Sequence, residues 1–197
     1  METPTKQYKV IYADPAWNFE VWSRDTGAGR SAEAHYPTMT LDELKALPVS
    51  DLADDDCALF MWAVWPRLPD AIALGQAWGF EYKTLAFDWL KRTSTGEHWH
   101  MGMGYWTRAN SEPCLLFTRG NPKRRSKGVR QLIVDVGQQS LFPPMVQPVT
   151  IHSAKPFEAY ERIEALLDGP YIELFARVKY PGWDAWGNQA PDSIEWS

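Results

Sequence analysis

"YKVIYADPAW", residues 8–17, joins a β-branched apolar run to an aspartate, a proline and an indole. A run this short and apolar, closed by Asp-Pro, predicts a buried strand at 8–13. Strands apolar on both faces belong to mainly parallel sheets covered by helices. The rest of the chain follows the same plan. "CALFMWAV" (57–64), "EYKTLAFDWLKR" (81–92), "PCLLFTRG" (113–120), "YIELFAR" (171–177) and "WDAWGNQ" (183–189) read as further strands. Helices fall between them. "TLDELKALP" (40–48) starts at Thr40 with Glu43 three residues on, a capping box, and stops at Pro48. "PRLPDAIALGQAWGF" (66–80) puts Leu68, Ile72 and Trp78 roughly on one face. "KPFEAYERIEALLDG" (155–169) carries a stripe of Tyr160, Ile163, Leu166 and Leu167 and ends at Gly169. Segment 18–40 has no period and reads as a long loop.

Alternation of strands and helices predicts one α/β domain over 1–197 with a mainly parallel sheet. Ligands of such sheets bind beyond the carboxyl ends of the strands. Asp14 and Arg177 both stand at predicted strand ends, so both are expected at that crevice.

Composition narrows the function classes. No run approaches the roughly 18 apolar residues of a membrane span, and "METPTKQYKV" lacks a signal peptide's apolar core. Cys57 and Cys114 are far apart and lack metal-site spacing, which reads as two buried, reduced thiols in a cytoplasmic protein. His35, His98, His100 and His152 sit in no zinc pattern, so no metal is expected. The net charge of −5 argues against indiscriminate coating of nucleic acid. Yet "RGNPKRRSKGVR" (119–130) holds six basic residues and no acid; taking those six charges from −5 leaves −11 on the rest. An acidic body with one basic loop suits local capture of a polyanion.

A turn of Asp, Pro and an aromatic at a strand end has a definite use on adenine. The exocyclic amine is a poor nucleophile because its lone pair is delocalised into the ring. A carboxylate accepting one amino hydrogen and a backbone carbonyl accepting the other draw the nitrogen toward tetrahedral geometry. Asp14 would supply the carboxylate, Pro15 the carbonyl, and an exposed Trp17 a stacking surface for a base that has left its helix. The alternative is that Asp14 opens a plain turn and Trp17 fills a gap in the core.

"HSAKP" (152–156), "IELFAR" (172–177) and "GW…WGNQ" (182–189) follow "DPAW" in that order. Together they resemble the MT-A family, named for the seventy-kilodalton subunit of the eukaryotic messenger-RNA adenosine methyltransferase. The resemblance runs from Val10 to Gln189 and looks most like the compact phage and bacterial members. It implies a Rossmann-like, S-adenosylmethionine-dependent methyltransferase in which the target-base motif comes first and the cofactor motifs last. It also implies roles. Asp14-Pro15-Ala16-Trp17 corresponds to the family's DPPW turn, with Asp14, Pro15 and Trp17 catalytic and Asp14 also at the cofactor. Lys155 is implied at the cofactor's methionine carboxylate, Phe175 and Arg177 beside the cofactor, and Asn188 and Gln189 at its ribose. Ala16 departs from the pattern: it stands where the second proline would stiffen the turn.

Other stretches are expected to touch nucleic acid. Lys123, Arg124, Arg125 and Lys127 of the basic loop suit phosphates. Trp22, Arg24 and Arg30 in segment 18–40 suit base edges. In "HWHMGMGYWTRANSE" (98–112), Tyr105, Arg108 and Asn110 are candidates to shape the base pocket. Of the tryptophans, Trp62, Trp65, Trp78 and Trp89 are expected in the core, while Trp183 and Trp186 fit core or site. The expectation is therefore an adenine N6-methyltransferase acting on DNA, with S-adenosylmethionine as cofactor, no membrane contact and room for a homodimer. RNA as the polymer, or a catalytically silent nucleic-acid-binding partner, stay open as alternatives. The retained Asp14, Trp17, Lys155 and Asn188 argue against silence.

Overall fold

Strand β1 (Tyr8–Ala13) lies where the opening stretch predicts it. Its residues Val10, Ile11, Tyr12 and Ala13 are wholly inaccessible to solvent, because the strand is paired on both edges and covered on both faces. The computed structural model describes residues 6–17, 38–93, 97–102, 106–134, 155–188, 190 and 193–194. Within them a seven-stranded sheet has the order β5-β3-β4-β2-β1-β6-β7. The strands are β2 (Ala53–Trp62), β3 (Glu81–Leu90), β4 (Ser111–Arg119), β5 (Leu132–Val134), β6 (Tyr171–Leu174) and β7 (Asp184–Trp186). Pairings β1–β2, β1–β6, β3–β5 and β6–β7 are parallel, whereas β4 runs antiparallel to both β2 and β3. The sheet is mainly parallel as expected, with β4 as the reversed strand.

Alternation along β1 divides the core in two. Ile11 and Ala13 join Leu59 and Met61 on one face, under helices α1 (Leu41–Ala46), α2 (Val49–Leu52) and α3 (Leu68–Ala77). Val10 and Tyr12 join Phe60, Trp62 and Trp183 on the other, under α4 (Phe157–Leu166). The result is three layers, helix–sheet–helix. Thr40 caps α1 through the full capping box with Glu43. Gly75 lets α3 settle on β4: a Cβ there would lie 2.3 Å from the Phe117 ring.

Several expectations are corrected. β5 and α2 went unpredicted, being only three and four residues long. The strands expected at 171–177 and 183–189 stop at Leu174 and Trp186, because the chain leaves the sheet at Phe175 and Gly187 to build the site. Trp62, Trp78 and Trp89 are core, but Trp65 is 44% exposed. It sits in a 3₁₀ turn (Trp65–Arg67) past the end of β2. No helix among the described residues is long and apolar enough to cross a membrane.

Candidate active site

The parallel strands β1 and β6 end side by side, and the chain opens there into a cavity of about 430 Å³. Asp14, Pro15, Ala16 and Trp17 line it, together with Ala63, Val64, Glu112, Lys155, Phe175, Ala176, Arg177, Trp186, Gly187 and Asn188. Four separated sequence motifs thus meet at one crevice. Asp14 follows β1 directly, and its N–H still donates to the Leu174 carbonyl at 3.4 Å, which carries the β1–β6 pairing into the turn.

The turn is fastened without a second proline. The Trp17 N–H donates to the Pro15 carbonyl at 2.8 Å, and the Met39 N–H donates to the Ala16 carbonyl at 3.0 Å. The expected role of the Pro15 carbonyl is thereby narrowed: one of its two lone pairs is taken, and one remains for a ligand donor. The indole of Trp17 is not exposed, as the sequence suggested; it is 4% accessible and donates its ring N–H to the Trp62 carbonyl at 3.2 Å. It forms cavity wall.

Charge at the site is organised around Lys155, whose side chain is only 10% exposed. Its Nζ lies 3.1 Å from Asp14 Oδ1 and 3.2 Å from Glu112 Oε2. Burial favours the neutral amine, but the two carboxylates outweigh it and hold the ammonium above its usual pKa. Burial likewise pushes Glu112 up, yet Lys155 and then Lys91, which is ion-paired to it, hold it below the usual carboxylate range. Two of the three ammonium hydrogens are therefore committed within the protein, and one is left for a bound anion. Glu112 escaped the sequence reading: one acid at the start of an apolar strand has no signature, and only the reversed β4 brings it to Asp14's lysine.

Behind the turn, Glu173 of β6 is buried and accepts the Tyr160 hydroxyl at 2.8 Å. Burial, with the negative charge of Asp14 adding to it, pushes this carboxyl up to about 8 against the opposing hydrogen bond. The folded chain thus holds a proton on Glu173 that the unfolded chain releases near pH 4.5. Between those values Glu173 makes stability fall as pH rises, by at most about 1.4 kcal/mol per pH unit. Glu173→Gln is expected to remove that slope, measured as thermal midpoints between pH 5 and 8; an unchanged slope would contradict the assignment.

On the other wall, Phe175 has φ +64°, a left-handed conformation that costs a non-glycine residue on the order of 1–2 kcal/mol. Its ring packs edge-on against Trp186 at 5.4 Å, and the Ala176 N–H donates to the Trp186 carbonyl at 3.0 Å. Gly187 makes this crossing possible: a Cβ there would sit 2.3 Å from the Ala176 carbonyl oxygen. Gly187→Ala is expected to cost about 1–3 kcal/mol of stability. The loss is read as a lowered thermal midpoint.

The sequence-derived nucleic-acid residues do not all come together. Because β4 is reversed, it begins at the cavity with Glu112 and ends at Arg119 opposite Cys57, near the start of β2. Its nine residues carry the chain roughly 25 Å away. The basic loop therefore leaves from the opposite end of the sheet and does not border the cavity. Arg125 is tied down there, with its N–H on the Leu166 carbonyl and its guanidinium 3.1 Å from Asp168. Lys123, Arg124 and Lys127 are exposed on that far side. Arg108 and Asn110 are exposed and are not cavity wall. Trp22, Arg24, Arg30, Tyr105 and Gln189 lie outside the described residues.

With this geometry in place, the sequence matches the MT-A70 family over residues 8–189, a span that holds every wall of the cavity. The chain belongs to the MT-A70 family. A type II methyltransferase from a Mycoplasma species, M.MunI, is 36% identical across 98% of this chain and 82% of its own length. The N(6)-adenosine-methyltransferase MT-A70-like protein of Drosophila melanogaster is 31% identical across 93% of the chain, but that match spans 27% of the fly protein. The mouse N(6)-adenine-specific methyltransferase METTL4 is 27% identical across 93% of the chain and 38% of its own length. The chain is thus close in extent to the first relative and a fraction of the other two.

Proposed function

We propose that this MT-A70 methyltransferase transfers a methyl group to the exocyclic N6 amine of adenine in DNA, with S-adenosylmethionine as the donor. The observation that carries the reading is Asp14 on the cavity wall with one oxygen held by Lys155 at 3.1 Å. That contact fixes the carboxylate and leaves its other oxygen for an amine hydrogen.

The cavity fits such a cofactor. Its volume of about 430 Å³ is in the range of small-molecule sites. Backbone packs so closely at Gly187 that no side chain can intrude there, and the donors present suit a zwitterionic nucleoside. Lys155 would hold the carboxylate of the methionine moiety with its remaining hydrogen, and Arg177, Phe175, Asn188 and Gln189 would hold the rest. When bound, S-adenosylmethionine supplies an electrophilic methyl group on a sulfonium.

The chain's own part is orientation and electrostatics. The free oxygen of Asp14 accepts one N6 hydrogen, and the free lone pair of the Pro15 carbonyl accepts the other. The nitrogen lone pair is then localised on one side of the base. On taking the methyl group, with the C–S bond breaking and its electrons returning to a neutral thioether, the nitrogen would become positive, and the Asp14 carboxylate would stabilise that charge until the extra proton passed to water. Trp17 acts as a wall that fixes the turn, its indole locked by Trp62.

The match to a type II methyltransferase along 82% of that relative supports DNA as the polymer. The relative named for adenosine, a ribonucleoside, carries its match in 27% of a much longer chain. The test is transfer of labelled methyl from S-adenosylmethionine to pools of adenine-containing DNA and RNA oligomers. Label on N6 of adenine in DNA is the expected result; label on RNA alone would change the polymer. Cofactor binding without any transfer would make the chain a silent partner.

A further inference from the structure

The connection between β3 and β4 pairs with itself in two short stretches, making an arm rooted at the active site. The Lys91 N–H donates to the Asn110 carbonyl at 3.1 Å and the His100 N–H to the Lys91 carbonyl at 2.9 Å. Further out, the Thr93 N–H donates to His98 at 2.8 Å and the Gly102 N–H to Ala109 at 2.7 Å. Isolated antiparallel bridges, Arg92 to Trp99 and Gly102 to Ala109, complete the pairing. The root is the Lys91–Glu112 ion pair, and Glu112 also holds Lys155.

What this arm displays is unusual for a surface. Trp106 is 94% exposed, Met101 75% and Trp99 44%. At its base stands Trp65, also 44% exposed, whose ring N–H donates to Ser111 Oγ at 3.1 Å. Ser111 is in turn hydrogen-bonded to Asp88, so this indole is held outward by a side-chain chain, next to cavity residue Val64. Three large exposed apolar side chains within residues 99–106 cost solubility and mark a surface that is covered in use. Lys91, Arg92 and Arg108 lie in the described parts of the arm against Glu97 there and Glu112 at its root, and the Arg92 guanidinium stacks 4.3 Å from the Trp99 ring. Indoles beside arginines serve protein and nucleic-acid partners alike, and the root of the arm at Glu112, on the cavity wall, favours nucleic acid as the occupant.

We propose that the arm is a DNA wedge in which Trp106 and Trp99 stack on bases beside the target adenine while Arg108 engages a phosphate. This deepens the proposed reaction and rests on it: an adenine must leave its stack to reach Asp14, and aromatic faces compensate the neighbours it leaves. The wedge also replaces the stacking role that the buried Trp17 cannot fill. Because the arm is rooted at Glu112, it stands at the mouth where the base must enter, unlike the basic loop at the far end.

The test uses the full chain with Trp106→Ala, Trp106→Phe and Arg108→Ala. Binding is measured on a fluorescent pool of random adenine-containing duplexes, cofactor affinity by calorimetry, and association state by sedimentation. Trp106→Ala is expected to weaken DNA binding about tenfold, within the range of one lost base–aromatic stack. Trp106→Phe should keep most of it, and Arg108→Ala should lower the salt slope of binding by about one. Cofactor affinity and melting temperature should not move. Unchanged DNA affinity in Trp106→Ala overturns the proposal, as does a wild-type chain that binds no duplex. Loss of self-association in place of loss of DNA affinity assigns the arm to contact between copies and also overturns it. If duplex binding depends on Trp106 but no adenine is methylated, the wedge stands and the proposed reaction falls.

Discussion

Asp14→Asn is expected to slow methyl transfer about a thousandfold, on the order of 4 kcal/mol of transition-state stabilisation, in a chain that still folds. Asparagine keeps the shape of the side chain and one acceptor oxygen. What it loses is the negative charge that faces the nitrogen as the methyl group arrives. It also loses the ion pair that fixes the side chain, since Asp14 Oδ1 lies 3.1 Å from the Lys155 ammonium. The effect should appear in kcat, with cofactor affinity reduced only a fewfold, because Lys155 keeps Glu112 as a partner at 3.2 Å. Single-turnover transfer and calorimetric titration with the cofactor separate the two. An Asp14→Asn chain with near wild-type kcat would remove the amine-activation mechanism.

Lys155→Ala should have the largest effect on folding. It leaves Asp14 and Glu112 facing each other, with side chains 17% and 21% exposed and their shared cation gone. Breaking a buried ion pair in this way costs about 3–5 kcal/mol, roughly 10 °C in melting temperature for a chain of this size. The pH dependence gives the sign. Glu112 is held below its usual range by Lys155 and Lys91, so in the wild type its contribution is full near neutral pH and is lost as pH falls through the folded value. Without Lys155 the two carboxylates repel when ionised, so the deficit against wild type should shrink from pH 8 to pH 5. Adding Glu112→Gln removes one of the two charges and should recover part of the lost stability, a coupling read from the double-mutant cycle. Additive losses, or a deficit that grows on acidification, would show that the lysine acts elsewhere.

The same lysine shows the limit of sequence reading. The family resemblance implied Lys155 as a cofactor contact, and the residue does line the cavity. That its charge is shared by two carboxylates depends on Glu112, which sits 43 residues away on a reversed strand. The basic loop misled for a related reason. Its charge is plain in the sequence, but the direction of β4 is not, and that direction sends the loop away from the site. Trp17 and Trp65 exchanged roles: the turn's indole is buried at 4%, while the indole expected in the core is 44% exposed.

By itself the sequence determined the strand at 8–13, the capped helix after Thr40, the amphipathic helix before Gly169 and the α/β class, because these follow from periodicity and local hydrogen bonding. It also singled out the turn at Asp14, and the family resemblance pointed to Lys155, Phe175, Arg177 and Asn188, which line the same cavity. Only the tertiary structure decided how charge is shared at Lys155, which indoles meet solvent and why Gly187 admits no side chain. Those features depend on residues far apart in the chain, brought within contact distance by strand direction and register. No local pattern records them.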